Sequence, residues 1–424
     1  MKRFLIHAWV IWFLSSFFMF YKFVLEVSPS IMTTTLMKAF GITATQLGNF
    51  AACYFYAYLL LQIPAGLLLD RFGPRIVATV AIAVCSCGNL LFASSSSFAI
   101  AEIGRFFIGT GAAFAAVTAF KLIANWFPSR QFAFMAGLMV SVAMLGAVGG
   151  QAPLGAFIDA LPSWREAMAI LGWAGLALAA LFWLVVRDRA KHHPLDHHLV
   201  SSSTPFLHSL KKIFGHSQSW WLSIFGGFAF APVMVFGGLW GIAFISEAFH
   251  LPQNQAAQSV SLIFIGFAIG APLFGLFSDW LGRRKIVIFY GMLLALLSIS
   301  IVIYVPSISY ALLVFLLFFF GFTVSSYLLC FALMREISMP TIAATALGFL
   351  NAFQALFGAI SDPLTGKALD LLWDGKMVDG ARIFSVDAYR TMFLTLPIYL
   401  VISLGLLLLI KETYCKPTYP ASLP

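Results

Sequence analysis

The sequence predicts an all-α membrane protein of twelve transmembrane helices arranged as two pseudo-symmetric six-helix bundles. Three observations predict it: the excess of apolar residues, the length of the apolar runs, and a motif that recurs half a chain apart. Of 424 residues, 61% are hydrophobic and only 10% are charged, and the mean hydropathy is +0.95. A water-soluble fold of this size carries far more charge. Hydrocarbon holds no water to satisfy backbone N–H and C=O groups, so only helices or closed barrels span it. The apolar runs are about 20 residues long, the length that crosses a bilayer as a helix. They lack the period-2 alternation of barrel strands.

The expected spans are 5–34, 46–68, 76–95, 98–125, 132–158 and 166–186 in a first bundle, 1–186. A polar linker, 187–218, leads to a second bundle, 219–424, with spans at 220–248, 256–278, 285–305, 309–335, 342–369 and 390–410. Met1-Lys2-Arg3 followed by an apolar run imitates a signal peptide. The run is too long for one and lacks a small-residue cleavage site, so it reads as the first span. Twelve spans put both termini on one side of the membrane. That side collects sixteen Lys and Arg, against six on the other: Lys38, Arg165, Lys367, Lys376, Arg382 and Arg390. Basic loops stay cytoplasmic. Both termini and the linker are therefore expected in the cytoplasm, in a cell membrane of the bacterial inner-membrane type.

The net charge of +9 is accounted for by those loops, and no groove-reading or base-stacking motif points to nucleic acid. The five cysteines lack the paired spacing of a metal site; Cys85-x-Cys87 reads as packing. Four linker histidines (His192, His193, His197, His198) read as part of a hydrated tether rather than as ligands. No metal and no cofactor is expected, and the chain is expected to work as a monomer in lipid.

The recurring motif joins spans 2 and 3 and again spans 8 and 9. Gly66, Asp70, Gly73 and Arg75 are matched by Gly275, Asp279, Gly282 and Arg284 at a constant offset of 209 residues, with Arg71 inside the first copy. A second echo links Pro153-Leu154-Gly155 with Pro363-Leu364-Thr365-Gly366. Half-chain repetition marks a transporter built from two bundles around a midplane site. Each glycine is expected to let the backbone turn tightly, and each aspartate to pair with basic groups or a helix N-terminus.

These loops resemble the duplicated G-x-x-x-D-(R)-x-G-x-(R/K) signature of the major facilitator superfamily, over essentially the whole chain. The resemblance implies two six-helix bundles that rock about a central site, with the two loops controlling that movement. Arg105-x-x-x-Gly109-x-Gly111 is similar to the superfamily's second motif, which supplies a buried arginine. Residues 137–155 resemble the fifth-helix motif of proton-driven exporters, except that Gln151 replaces a proline and Leu154 a glycine. Val27-Ser28-Pro29-Ser30, Tyr54-Phe55-Tyr56-Ala57-Tyr58, Gly238-Leu239-Trp240-Gly241 and Leu262-Ile263-Phe264-Ile265-Gly266 resemble the phagosomal nutrient transporter branch. That likeness implies import of amino acids or nucleosides.

Ionisable groups inside spans are costly and usually functional. Lys22 and Glu26 lie four apart on one face of span 1; Glu102 and Arg105 begin span 4, and Asp362 lies in span 11. The resemblance places spans 1 and 4 on the cavity. No histidine lies deep in a span, so a carboxylate is expected to carry any coupled proton: Glu26 first, then Asp362 or Glu102. Arginine does not release its proton, so Arg105, with Lys22, is expected to serve as counter-charge or substrate clamp. Tyr54, Tyr58, Gln62, Gln151, Trp240, Tyr327, Asn351 and Gln354 are the expected pocket residues.

The function expected is proton-coupled import of a small polar nutrient, an amino acid or nucleoside. An exporter of a metabolite or siderophore, or a non-transporting sensor on the same fold, is the alternative. No phosphate loop of the G-x-x-x-x-G-K-S/T type is present, and no catalytic motif suggests an enzyme. The topology is tested with reporters that are active only outside the cell: fused after Lys191 or Lys416, they stay silent. Activity at either position reverses the orientation.

Overall fold

A computed structural model describes residues 2–128, 131–188, 212–339, 342–378 and 380–418. Most of the expected linker, including its four histidines, lies outside the described residues. The first half comprises α1 (Lys2–Val27), a 3-10 turn (Ser28–Ile31), α2 (Thr33–Phe40), α3 (Ala44–Ser94) and α4 (Phe98–Ala112). It continues with α5 (Ala115–Trp126), α6 (Phe132–Gly149), α7 (Ala152–Asp159) and α8 (Trp164–Val185). The second half begins with α9 (Ser217–Pro232), a π-helix (Val233–Trp240) and α10 (Gly241–Phe249), one continuous crossing. Then come α11 (Gln253–Leu281), α12 (Lys285–Tyr304), α13 (Tyr310–Val324), α14 (Leu329–Ile337) and α15 (Ala343–Leu371). A small hairpin, β1 (Met377–Val378) with β2 (Ala381–Arg382), precedes α16 (Val386–Met392) and α17 (Thr395–Leu409).

Among the described residues, ten helical stretches are long and apolar enough to cross a membrane. The first limb of α3 and α15 fall outside that set. They carry Asn49 and Gln62, and Asn351, Gln354 and Asp362, and they pack against each other between the halves. Counted with the ten, these two limbs fit the expected twelve. Glycines set how closely they approach. A Cβ on Gly48 would overlap the Asp362 carbonyl, and one on Gly366 the Ala44 carbonyl; such small-residue contacts are how helices pack tightly where lipid gives no hydrophobic drive.

Hydrogen bonds between the halves, among the described residues, lie at the end where α3 and α11 begin or at mid-depth. Asp370 accepts from Ala44 and Thr45, and Gln253 Nε2 donates to the Ile31 carbonyl. Deeper, Asn351 donates to Tyr58, Gln151 bridges to Gly237, and Ser141 reaches the Ala268 carbonyl. This is the closed end.

At the opposite end the repeated loops make their turns. Gly73 (φ 80°) and Gly282 (φ 67°) adopt the positive φ that glycine tolerates. Gly66 and Gly275 differ from expectation: both lie within helices and neither position is crowded, so the local turn needs only the second glycine of each copy. The Asp70 side chain lies outside the described residues. Arg71 is exposed beside Phe72. The Arg75 Nε donates to the Trp183 carbonyl, and its guanidinium stacks on that indole at 4.1 Å. Arg284 pairs with Asp279 at 2.7 Å and Glu336 at 2.9 Å.

Each half also closes on itself through an acidic residue just after its last helix. Asp188 accepts from the Arg75 N–H at 2.7 Å. Glu412 accepts from the Arg284 and Lys285 N–H groups at 3.0 and 2.8 Å. Each carboxylate caps the helix that follows the motif turn, where unpaired N–H groups and the helix dipole favour a negative charge. Burial pushes the Glu412 carboxyl up, but the N–H groups of Arg284, Lys285, Tyr414 and Thr413 outweigh it and hold it below the usual carboxylate range. A depressed carboxyl contributes stability that is complete above its unfolded value, about 4.3, and is lost as pH falls through the folded value. Glu412→Gln is expected to lower the melting temperature at pH 7, and the gap from the parent to shrink as pH falls below that value. Thermal unfolding in detergent from pH 7 to pH 3 checks this; a gap independent of pH contradicts it.

Candidate functional site

The site begins with a proline. Proline has no N–H, so Pro29 removes the i+4 donor to the Leu25 carbonyl and ends α1. Ser28 Oγ donates back to the Leu25 carbonyl at 2.9 Å and Ser30 Oγ to that of Val27 at 2.7 Å. The remaining donors come from α4: Arg105 Nη1 reaches the Leu25 carbonyl and Nη2 that of Glu26. Arg105 is 2% exposed. A buried full positive charge therefore caps the carbonyl end of α1, where the helix dipole favours it. Gly109, one turn further along α4, makes this reach possible: a Cβ there would overlap the Tyr54 carbonyl of α3. The arginine and glycine of the second motif thus act as a unit.

Lys22 and Glu26 form a buried ion pair at 2.6 Å on α1. Tyr54 donates its hydroxyl to the same carboxylate oxygen at 2.7 Å. The Lys22 ammonium lies 3.6 Å from the Phe23 ring centroid and 5.3 Å from that of Tyr58. The Arg105 guanidinium lies 5.1 Å from the Tyr54 centroid. Rings at this range attract a cation through the negative π face. Lys22 is thus the side chain paired with the Glu26 carboxylate, while Arg105 holds the Glu26 backbone. The Arg105 Nε has no partner.

Asp362, from α15 of the other half, is buried, and its Oδ1 has no partner. Arg105 and Glu26 lie within its electrostatic reach. Lys22, Arg105 and Glu26 of the first half and Asp362 of the second therefore share one buried region. Glu102 lies apart: it accepts from Asn49 at 2.8 Å, half-buried at the start of α4.

The expected pocket residues divide into two groups. Tyr58 accepts from Asn351 across the halves at 3.3 Å. Gln62 and Gln354 are buried; the Gln62 side-chain nitrogen lacks a partner, and the Gln354 amide lies within reach of the Tyr327 hydroxyl, itself buried beside Phe230 and Phe267. Tyr58 and Gln62 follow Tyr54 of the charge cluster along successive turns of α3, and Asn351 and Gln354 lie on α15, the helix that carries Asp362. Gln151 and Trp240 have their side-chain polar groups hydrogen-bonded within the protein in this conformation. Gln151 donates to the Gly237 carbonyl at 2.6 Å and accepts from Ser261 at 3.0 Å, and Trp240 donates to Thr365 at 3.2 Å. Ser28, Pro29, Asp188, Glu336, Asp370 and Glu412 did not emerge from the sequence as functional. Two carried a readable signal: Arg187-Asp188 and Lys411-Glu412 are basic–acidic pairs that each follow the last helix of a half.

A profile of the Major Facilitator Superfamily matches residues 9–361 and 222–421, and the chain belongs to that family. The uncharacterized transporter YybO of Bacillus subtilis (strain 168) is 30% identical over 218 residues, 48% of this chain and 50% of the relative. The chain thus aligns with about half the length of that protein. The probable sulfoacetate transporter SauU of Cupriavidus necator is 24% identical over 400 residues, covering 88% of this chain and 91% of the relative. Among solved structures, a bacterial homolog of the human lysosomal transporter Spinster, inward-facing and unoccupied, superposes with a TM-score of 0.80. It is 16% identical, with 98% of this chain and 99% of that chain covered, and it shares the fold. The protein is a multi-pass membrane transporter of this superfamily, acting on a small molecule.

Arg105→Ala leaves the carbonyl of Glu26 without its side-chain donor and weakens the capping of Leu25. An unsatisfied buried acceptor costs roughly 1–3 kcal/mol, so a clear drop in melting temperature is expected. Arg105→Lys is expected to recover less than half of it, because an ammonium cannot reproduce the planar fork across two carbonyls. Full recovery with lysine, read by thermal unfolding in detergent, contradicts this geometry.

Proposed function

We propose that this chain is a proton-coupled importer that works by alternating access and takes up a small solute bearing an acid group, with Glu26 carrying the proton. The single observation behind the reading is the Lys22–Glu26–Tyr54 cluster, an ion pair buried on α1 with a hydroxyl donor on the same carboxylate. Protonating Glu26 removes the counter-charge of Lys22. An unpaired ammonium in this low-dielectric setting is costly, unless a second anion arrives with the proton. A solute carboxylate or sulfonate is such an anion, so proton and solute are bound together. Arg105 keeps its own proton throughout and holds the helix end on which the exchange occurs.

Within the expected nutrient classes this reasoning favours amino acids over nucleosides, since only the former carry an acid group. The name printed for the Cupriavidus relative, a probable sulfoacetate transporter, agrees with an anionic solute. The unpartnered amide nitrogen of Gln62 is suited to donate to a further oxygen of the solute. With the termini in the cytoplasm, as the loop charges require, the closed end faces outside. The cluster then opens toward the cell, the inward-facing state named for the Spinster homolog.

The reading is tested in proteoliposomes with labelled amino acids, organic acids, sulfonates and nucleosides. The parent protein is expected to accumulate an acid-bearing solute when the outside is acidic. Glu26→Gln is expected to lose gradient-driven accumulation by at least tenfold while retaining exchange of labelled for unlabelled solute, because exchange releases no proton. Accumulation that persists in Glu26→Gln removes Glu26 from the role and passes it to Asp362. Outward movement only would favour the exporter, and binding without movement the sensor.

A further inference from the structure

The first turn of any α-helix leaves N–H groups without partners inside the helix, and α3 satisfies its own in two different ways. Within its own half, Thr43 accepts from the Gln46 N–H at 3.2 Å and donates its own N–H to the Gln46 side chain at 2.9 Å. This reciprocal capping box is made by residues of the first half alone, although the Thr43 hydroxyl also lies within reach of Asp370. The next two N–H groups are satisfied from the other half. Asp370, near the end of α15, accepts from the Ala44 N–H at 3.1 Å, the Thr45 N–H at 2.8 Å and the Thr45 hydroxyl at 2.6 Å. Three charge-assisted hydrogen bonds therefore cross between the halves at one carboxylate. They do so where Gly366 allows α15 to press against the α3 backbone.

The carboxylate also has a partner within its own half. Arg382, on β2, pairs with Asp370 at 2.9 Å and is held over the Trp373 ring at 4.3 Å. Trp373 in turn donates to the Lys376 carbonyl at 2.9 Å. If the halves separate at this end, Asp370 keeps its counter-ion, and α3 keeps its own capping box. At this carboxylate, the three crossing bonds are exchanged for water; the Gln253–Ile31 bond is a separate contact at the same end. Neither half is left with a buried unpaired charge, which is the usual penalty for breaking an ion pair.

We propose that Asp370 is the latch of the closed end: a detachable cap on α3, held by Arg382 and Trp373, that must release the Ala44 and Thr45 donors before the transporter opens on that side. The contact belongs to neither the repeated loops nor the charge cluster, and it sets the balance between closed and open states rather than recognising solute.

Spin labels at Ser96→Cys, in the loop between α3 and α4, and Pro306→Cys, between α12 and α13, report the separation of the halves at this end. Both positions are exposed. The full-length protein is used, with Cys53, Cys87 and Cys415 replaced by serine and reconstituted in lipid. Asp370→Ala is expected to raise the ratio of long to short label separations about tenfold, the scale of losing a charge-assisted hydrogen bond. Thr45→Val removes only the hydroxyl contact and is expected to raise it about threefold. It also stands as the deciding variant if Asp370→Ala does not fold. Distance distributions that match the parent in the folded variants overturn the latch, whatever solute the protein carries.

Discussion

The first half of the molecule is organised around the grip of one guanidinium on the end of one helix. Pro29 breaks the hydrogen-bond ladder of α1 at the depth where a transport site is expected, leaving carbonyls that hydrocarbon cannot satisfy. Arg105 fills them from α4. That contact ties α4 to α1 and fixes the turn carrying Lys22 and Glu26 against Tyr54 of α3. Gly109 sets the spacing that permits it. A residue that looks from sequence like a partner for the Glu26 carboxylate is thus the scaffold on which the pair is mounted.

That mounting leaves the Lys22–Glu26 pair free to change charge without dismantling the fold. The helix end is held by a group that does not titrate near neutrality, whereas the carboxylate is held by an ammonium and a phenol. The separation of roles continues across the interface. Asp362 comes from the other half with an oxygen unpaired, so the electrostatics of the cluster depend on how the halves are docked. A transporter needs such dependence, because the state of its site must bias a two-state element for binding to drive movement.

The two ends of the molecule use one device in different settings. At the turn end, Asp188 and Glu412 cap helix starts within their own halves. At the closed end, Asp370 caps a helix start belonging to the opposite half. A carboxylate on free N–H groups is favourable wherever it occurs. Where it joins parts that move together it stabilises a bundle; where it joins parts that move apart it stabilises one conformation.

The sequence by itself determined the solvent, the helical class, the approximate spans and the duplication. Those follow from apolar runs and from a motif repeated at fixed spacing, which are local or periodic properties. It also singled out Lys22, Glu26, Arg105 and Asp362, because charge in an apolar run stands out without any knowledge of contacts. Partnership was another matter. Whether Arg105 meets a side chain or a carbonyl depends on how α4 crosses α1, and on the donor that Pro29 removes four residues after Leu25. That Gln151 and Trp240 meet Gly237, Ser261 and Thr365 is likewise visible only in the packing. Asp370 sits among other acids in a polar loop region and carries no mark of its own. Only the tertiary structure brings it to Ala44 and Thr45, because the contact joins residues more than 300 positions apart, and nothing local in a sequence encodes a pairing at that range.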